Sequence, residues 1–185
     1  MTQYSRRGLL LSGGALAALA ACGNGIGGNK AAQLDARVDA THDYLISQYP
    51  GTADLVNKAV GVLYMPLMTE AGILFGGAYG RGALRIRDVT VDYYSATKAS
   101  FGLQVGAQQY AHALFFTNEN SLAEFRRSAG WAASGDIRYA TPEEGASIGK
   151  QTNEIDTGVQ AFVFGQQGLM AGVSLAGVKY TRIIP

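Results

Sequence analysis

Gly72-Ile73-Leu74-Phe75-Gly76-Gly77-Ala78-Tyr79-Gly80-Arg81-Gly82 decides the architecture of this chain. Glycine at this density leaves a helix little to hold on to, and the residues alternate. Even positions are mostly small (Gly72, Gly76, Ala78, Gly80, Gly82), while odd positions carry Ile73, Phe75, Tyr79 and Arg81. A period of two places the small set on one face of an extended segment and the bulky set on the other. A small face occurs where another element lies close against a strand or where a sheet bends sharply.

Sheet patterning continues on both sides of this stretch. Gly61-Val62-Leu63-Tyr64-Met65 reads as a buried strand stopped by Pro66. Val89 to Ser95, Ser100 to Ala107 and Ala111 to Phe116 read as further strands, with Gly102 and Gly106 sharing a face. Towards the end of the chain, Val159 to Phe164 and Leu169 to Tyr180 read as two strands of a hairpin. Gly165-Gln166-Gln167-Gly168 is their loop. Ile137 to Ala140 is a short strand in a less regular region.

Helical spacing is confined to the flanks. Leu34, Val38, Thr41, Leu45 and Ile46 recur at helical intervals with Asp35, Arg37, Asp39 and Asp43 between them, which predicts an amphipathic helix from Ala31 to about Tyr49-Pro50-Gly51. A shorter helix is expected over Ala53 to Lys58 with Thr52 as its cap. Ser121-Leu122-Ala123-Glu124 has the form of a capping box, with Leu122 and Phe125 apolar and Gly130 where a C-cap belongs. The expected fold class is α+β: a curved antiparallel sheet, barrel-like, with a few flanking helices.

Ahead of this domain, Ser5-Arg6-Arg7-Gly8 leads into a short apolar run that ends at Leu19-Ala20-Ala21-Cys22, where Cys22 is the single cysteine of the chain. Such a run is too short to cross the roughly 30 Å of a bilayer's hydrocarbon core. The segment resembles a bacterial lipoprotein signal with a twin-arginine export motif, which implies removal of residues 1–21 and lipidation of Cys22. Acyl chains on that cysteine, each buried methylene contributing about 0.8 kcal/mol, anchor the protein. Gly23 follows the cysteine where an aspartate would resemble an inner-membrane retention signal, so the outer membrane, facing the periplasm, is expected. Residues 22–30 then form a lipidated cysteine and glycine-rich tether, and residues 31–185 the domain.

Composition excludes several functions. The signal holds two of the 15 basic residues and none of the 14 acidic ones, so the remainder is close to neutral and nucleic acid is not an expected partner. Gly77 to Gly82 has neither the glycine order of a dinucleotide fingerprint nor the lysine and hydroxyl of a P-loop, so no nucleotide is expected. Gly172-Val173-Ser174-Leu175-Ala176 matches a nucleophile elbow only in outline, since it lies in a strand pattern with no helix after it. His42 and His112 have no ligand-spaced partners, so no metal is expected, and Asp88, Asp92 and Glu143-Glu144 form no catalytic pair. No cofactor and no enzymatic activity follow from the sequence.

Basic residues are the remaining candidates. Arg81, Arg85 and Arg87 share parity and line one face if the strand runs unbroken through Gly82. Lys98, Arg126 and Arg127 complete the set. Arginine's planar fork suits phosphate, so these six are either candidates to hold lipid headgroups or solvated charges on a half-exposed sheet.

Read in order, Gly61 to Pro66, Ala71 to Leu84, Tyr93-Tyr94-Ser95, Ala99 to Gln108 and Gly168 to Gly177 resemble the SYLF-domain family across essentially the whole of residues 31–184. The resemblance implies a non-catalytic domain that binds membrane phospholipid, in a bacterial envelope lipoprotein. An envelope scaffold that holds another protein through exposed aromatic surface, without a specific lipid site, is the alternative.

Overall fold

The computed structural model describes residues 29–73, 75–101, 106–133, 138–140, 158–168 and 173–185, with backbone alone at 100, 101 and 138–140. The sheet belongs to the compact unit Ala32–Pro185. Among the described residues, every buried apolar side chain of its two cores lies between Leu34 and Tyr180, so this unit carries its own interior, which is what folding alone requires.

Helix α1 spans Lys30–Gln48, and a turn of 3-10 helix at Pro50–Thr52 leads into α2 (Ala53–Lys58). Four long strands follow, β1 (Gly61–Ile73), β2 (Phe75–Ile86), β3 (Val89–Phe101) and β4 (Gly106–Phe116). Then come α3 (Glu119–Arg127), short β5 (Trp131–Ala132) and β6 (Arg138–Ala140), and finally β7 (Val159–Gly168) and β8 (Lys179–Ile183). They form one curled sheet in the order β5-β8-β3-β2-β1-β4-β7-β6, antiparallel throughout except for β6 on β7. The α+β curved sheet is thus present, open at its edges rather than closed.

The central strands change character along their length. Val62-Leu63-Tyr64-Met65 and Ala111 to Phe116 are buried on both faces, which is why they read as continuous apolar runs. One face meets α1 and α2: Val38 and Leu45 pack with Val62, Tyr64, Phe115, Phe162 and Phe164. The opposite face meets α3, whose Leu122 and Phe125 join Leu63, Leu84, Tyr94, Leu114 and Phe116. Beyond Pro66 in β1 and in β4 before Tyr110, burial alternates, because among the described residues no helix covers the α1-side face there.

Two β-bulges mark that transition. Pro66 does not stop β1; the register against both β2 and β4 shifts around it, so two residues of β1 oppose one on each neighbour. A bulge is where a strand tolerates a residue without an N–H. Across β4, the register with β7 shifts between Gln109 and Ala111, leaving Gly165 (φ 64°) and Gln166 opposite Tyr110. The segment Gly165 to Gly168 is therefore part of β7, not a hairpin loop. Nor do β7 and β8 pair: β8 lies against β3. Of the expected strand Leu169 to Tyr180, residues 173–178 are not strand, β8 begins at Lys179, and 169–172 lie outside the described residues.

The opening stretch is two strands. β1 ends at Ile73 and β2 begins at Phe75, its antiparallel partner, while Gly72 pairs with Gly76. Paired residues of a hairpin share a face, so the odd/even division survives the reversal. The small face is needed where it meets β1's bulge. At Gly82 a β-carbon would overlap the Tyr64 carbonyl oxygen and the Met65 sulfur. Gly82→Val is expected to destabilise the domain by about 1–3 kcal/mol, read as a lowered denaturation midpoint; an unchanged midpoint would show that the bulge yields freely.

Other local expectations are corrected. Ser100–Phe101 closes β3 and Gly106–Ala107 opens β4, so Ser100 to Ala107 is not one strand, and Gly102 lies outside the described residues. Thr52 has helical backbone and no capping bond; its hydroxyl donates to the Tyr49 carbonyl and the residue is fully buried. Asn118, not Ser121, caps α3, its Oδ1 accepting from the Ser121 N–H at 2.9 Å. The helix ends before Gly130, whose missing side chain makes room for Lys179.

Candidate functional site

Beyond the bulge at Pro66 the sheet presents an exposed face built from β1, β2, β3 and β4. Its cross-strand pairs run from Leu67 with Arg81, through Thr69 with Tyr79 and Ala71 with Gly77, to Ile73 with Phe75 at the tip. Thr97 and Ala99 of β3 and Ala107 and Gln109 of β4 extend it sideways. Ile73 and Phe75 are each 71% exposed, Tyr79 54% and Leu67 45%. Arg81 is the one charged side chain on this face among the described residues; Glu70 and Lys98 of the same strands point to the other side. Contiguous exposed apolar surface of this kind marks an interaction site in a soluble domain.

Arg81 and Arg85 share a face as parity predicts, and β2 does run unbroken through Gly82. Their surroundings differ. Arg81 stands in the open, whereas Arg85 lies under α1 and forms an ion pair with Asp39. Arg87 leaves the strand: with Asp88 it makes the two-residue β2–β3 turn, at φ 49° and 64°.

Lys98 is enclosed on the opposite face, donating to the Ser174 carbonyl at 2.7 Å and lying 3.6 Å from the buried carboxylate of Glu70. Gln108 Nε2 donates to that carboxylate at 3.0 Å. Arg126 Nε holds Asp92 at 2.8 Å, with Arg182 on the other carboxylate oxygen at 3.4 Å, which ties α3 to β3 and β8. Arg127 is exposed on α3, its Nε donating to the Ala123 carbonyl. The six basic candidates therefore form no common patch, and only Arg81 belongs to the apolar face. Cys22 lies outside the described residues.

Both histidines are accounted for. His42 Nδ1 lies 2.8 Å from the Tyr64 hydroxyl and ties α1 to β1. His112 is wholly buried, its Nε2 2.8 Å from the Tyr180 hydroxyl and its Nδ1 without a partner. Burial pushes its pKa from 6.5 down to about 3. The unfolded chain then takes up a proton below pH 6.5 that the folded one refuses. Stability is expected to fall as the medium is acidified, by up to about 1.4 kcal/mol per pH unit. Denaturation midpoints between about pH 7 and pH 5 measure this slope, and His112→Phe should flatten it; a slope unchanged in that variant would locate the effect elsewhere.

Beside the exposed face, at the level of the two bulges, lies a groove of about 370 Å³ lined by residues of α1, β1, β4 and β7. Among the described residues no cluster of acids and histidines could hold a metal ion, and no helix is long and apolar enough to cross a membrane.

Fold and site together define a curved-sheet α+β domain with one uncovered, nearly uncharged apolar face. Compared with known proteins, the chain matches no protein-family model and no curated protein.

The basic residues were singled out for their chemistry, yet the exposed apolar row is what distinguishes the surface. Its signal was present in the bulky odd positions Ile73, Phe75 and Tyr79. Leu67 could join them only once the bulge at Pro66 reversed the parity of β1.

Proposed function

We propose that this chain is a SYLF-like envelope lipoprotein, anchored through Cys22 at the outer membrane, whose periplasmic domain binds phospholipid bilayers without catalysis. The outward row Leu67, Ile73, Phe75 and Tyr79 on the β1–β2 hairpin carries the reading. Ile73 and Phe75 at the tip enter the acyl boundary, Tyr79 sits at headgroup level as tyrosines do at bilayer interfaces, and Arg81 meets a phosphate. Among the described residues that face carries no carboxylate, which removes a repulsion that anionic headgroups would otherwise meet.

This moves the weight of binding from charge to apolar insertion. One arginine near an anionic surface contributes about 1 kcal/mol, or roughly fivefold in affinity. Flotation of residues 29–185 with vesicles of phosphatidylethanolamine and phosphatidylglycerol tests the reading. Binding should persist at high salt with a loss of no more than about fivefold. No flotation with any vesicle composition would defeat it, and binding abolished by salt would return the site to the basic residues.

A further inference from the structure

We propose that the groove beside the apolar face receives one acyl chain of a phospholipid from the bilayer on which the domain docks, an inference that rests on the bilayer reading above. The groove is a built feature. The bulge at Pro66 in β1 and the one at Gly165 in β7 lie at the same level on either side of β4, and residues of both line the groove together with Ala40 and Tyr44 of α1. Bulges are devices by which a strand is re-aimed at a site.

Four properties select the occupant. None of the described side chains lining the groove is ionisable near neutral pH, so none of them would hold a phosphate or a carboxylate. Its walls are apolar at Leu67, Ala111 and Phe164, with polar groups such as Gln109 towards the exposed side. A volume of about 370 Å³ is in the range of small-ligand sites, which take apolar ligands with few polar contacts. Finally, Leu67 belongs to both surfaces: it is a wall of the groove and the inner end of the row that runs to Ile73 and Phe75. A chain leaving the acyl boundary can follow apolar surface from the hairpin to the groove. An acyl chain needs no hydrogen bonds there, whereas an entering peptide segment would bring backbone groups that require them.

The domain would thereby do more than touch a bilayer: it would hold a single lipid by its tail, headgroup outward. The test uses residues 29–185 and the fluorescent fatty acid cis-parinaric acid. Saturable binding at one molecule per chain is expected. Ala40→Trp, at an exposed helix position, should fill the groove and weaken that binding at least about tenfold, equivalent to roughly 1.4 kcal/mol, while flotation with vesicles is retained. Gln167→Trp fills it from the β7 side and guards against a folding defect in the first variant.

The hairpin variant Ile73→Ser/Phe75→Ser should show the reverse, bound fatty acid but no flotation. No saturable binding by the native domain, or equal binding by both groove-filled variants, overturns the proposal. Failure of the native domain to float while it binds fatty acid would overturn the bilayer reading on which the lipid's delivery rests.

Discussion

Ile73→Ser combined with Phe75→Ser is expected to reduce affinity for vesicles about a hundredfold while leaving the fold intact. Full burial of such a side chain contributes about 1.5–3 kcal/mol, and each of these two exposes 71% of its surface in the free domain. Transfer of both into the acyl boundary therefore supplies on the order of 3 kcal/mol, and each 1.4 kcal/mol is tenfold. Arg81→Ala removes only about 1 kcal/mol of headgroup attraction by comparison. With 71% of each side chain already exposed, the two substitutions at the tip should lower stability far less than a change in the packed core does. Vesicle titration of both variants decides the order of the effects. A larger loss from Arg81→Ala than from the hairpin pair would mean that charge, not insertion, holds the domain to lipid.

The largest expected effect on stability lies on the other side of the sheet. Phe125 is fully buried and its ring centroid lies 4.7 Å from Tyr94, 4.8 Å from Phe116, 5.3 Å from Trp131 and 6.1 Å from Tyr180. It joins α3 to strands β3, β4, β5 and β8 at once. Phe125→Ala should cost about 3–5 kcal/mol, from lost transfer energy and from the cavity left behind. Domains of this size are stable by only about 5–15 kcal/mol, so about a fifth or more of the total is at stake. Trp131, the single tryptophan of the chain, stands against this ring and reports the transition by its fluorescence. A loss below about 1 kcal/mol would mean that α3 unfolds separately from the sheet.

Much of this fold was legible because it depends on local alternation. The period-two pattern of 72–82 identified both the sheet and its two unlike faces, and the helical spacing of Leu34, Val38, Thr41 and Leu45 gave the buried side of α1. What local pattern could not supply was the exception that a neighbour makes possible. Pro66 and Gly165 look like terminators, and both sit in bulges held by the strands on either side. Pairing of β8 with β3 rather than β7 is likewise a choice between distant strands, invisible in either alone.

The site was harder for the same reason. Whether an arginine is free depends on its partner, and Asp39, 46 residues from Arg85, lies on a different element. The capping asparagine of α3 was missed for a smaller reason: Asn118 caps as well as serine does, and the Ser-x-x-Glu pattern three residues later drew attention from it.

The strand order also sets a schedule for synthesis. The edge of β3 is covered only by β8, and their contact between Ser95 and Thr181 spans 86 residues. As the nascent chain lengthens, β1 to β4 can assemble, but the row of β3 N–H and C=O groups facing β8 stays open until Lys179–Ile183 has left the ribosome. An open edge invites pairing with other chains, and such distant closure is slow. Strand β8 thus decides when the newborn domain stops being adhesive. Truncation there should leave a protein that collects in inclusion bodies rather than one that is merely less stable.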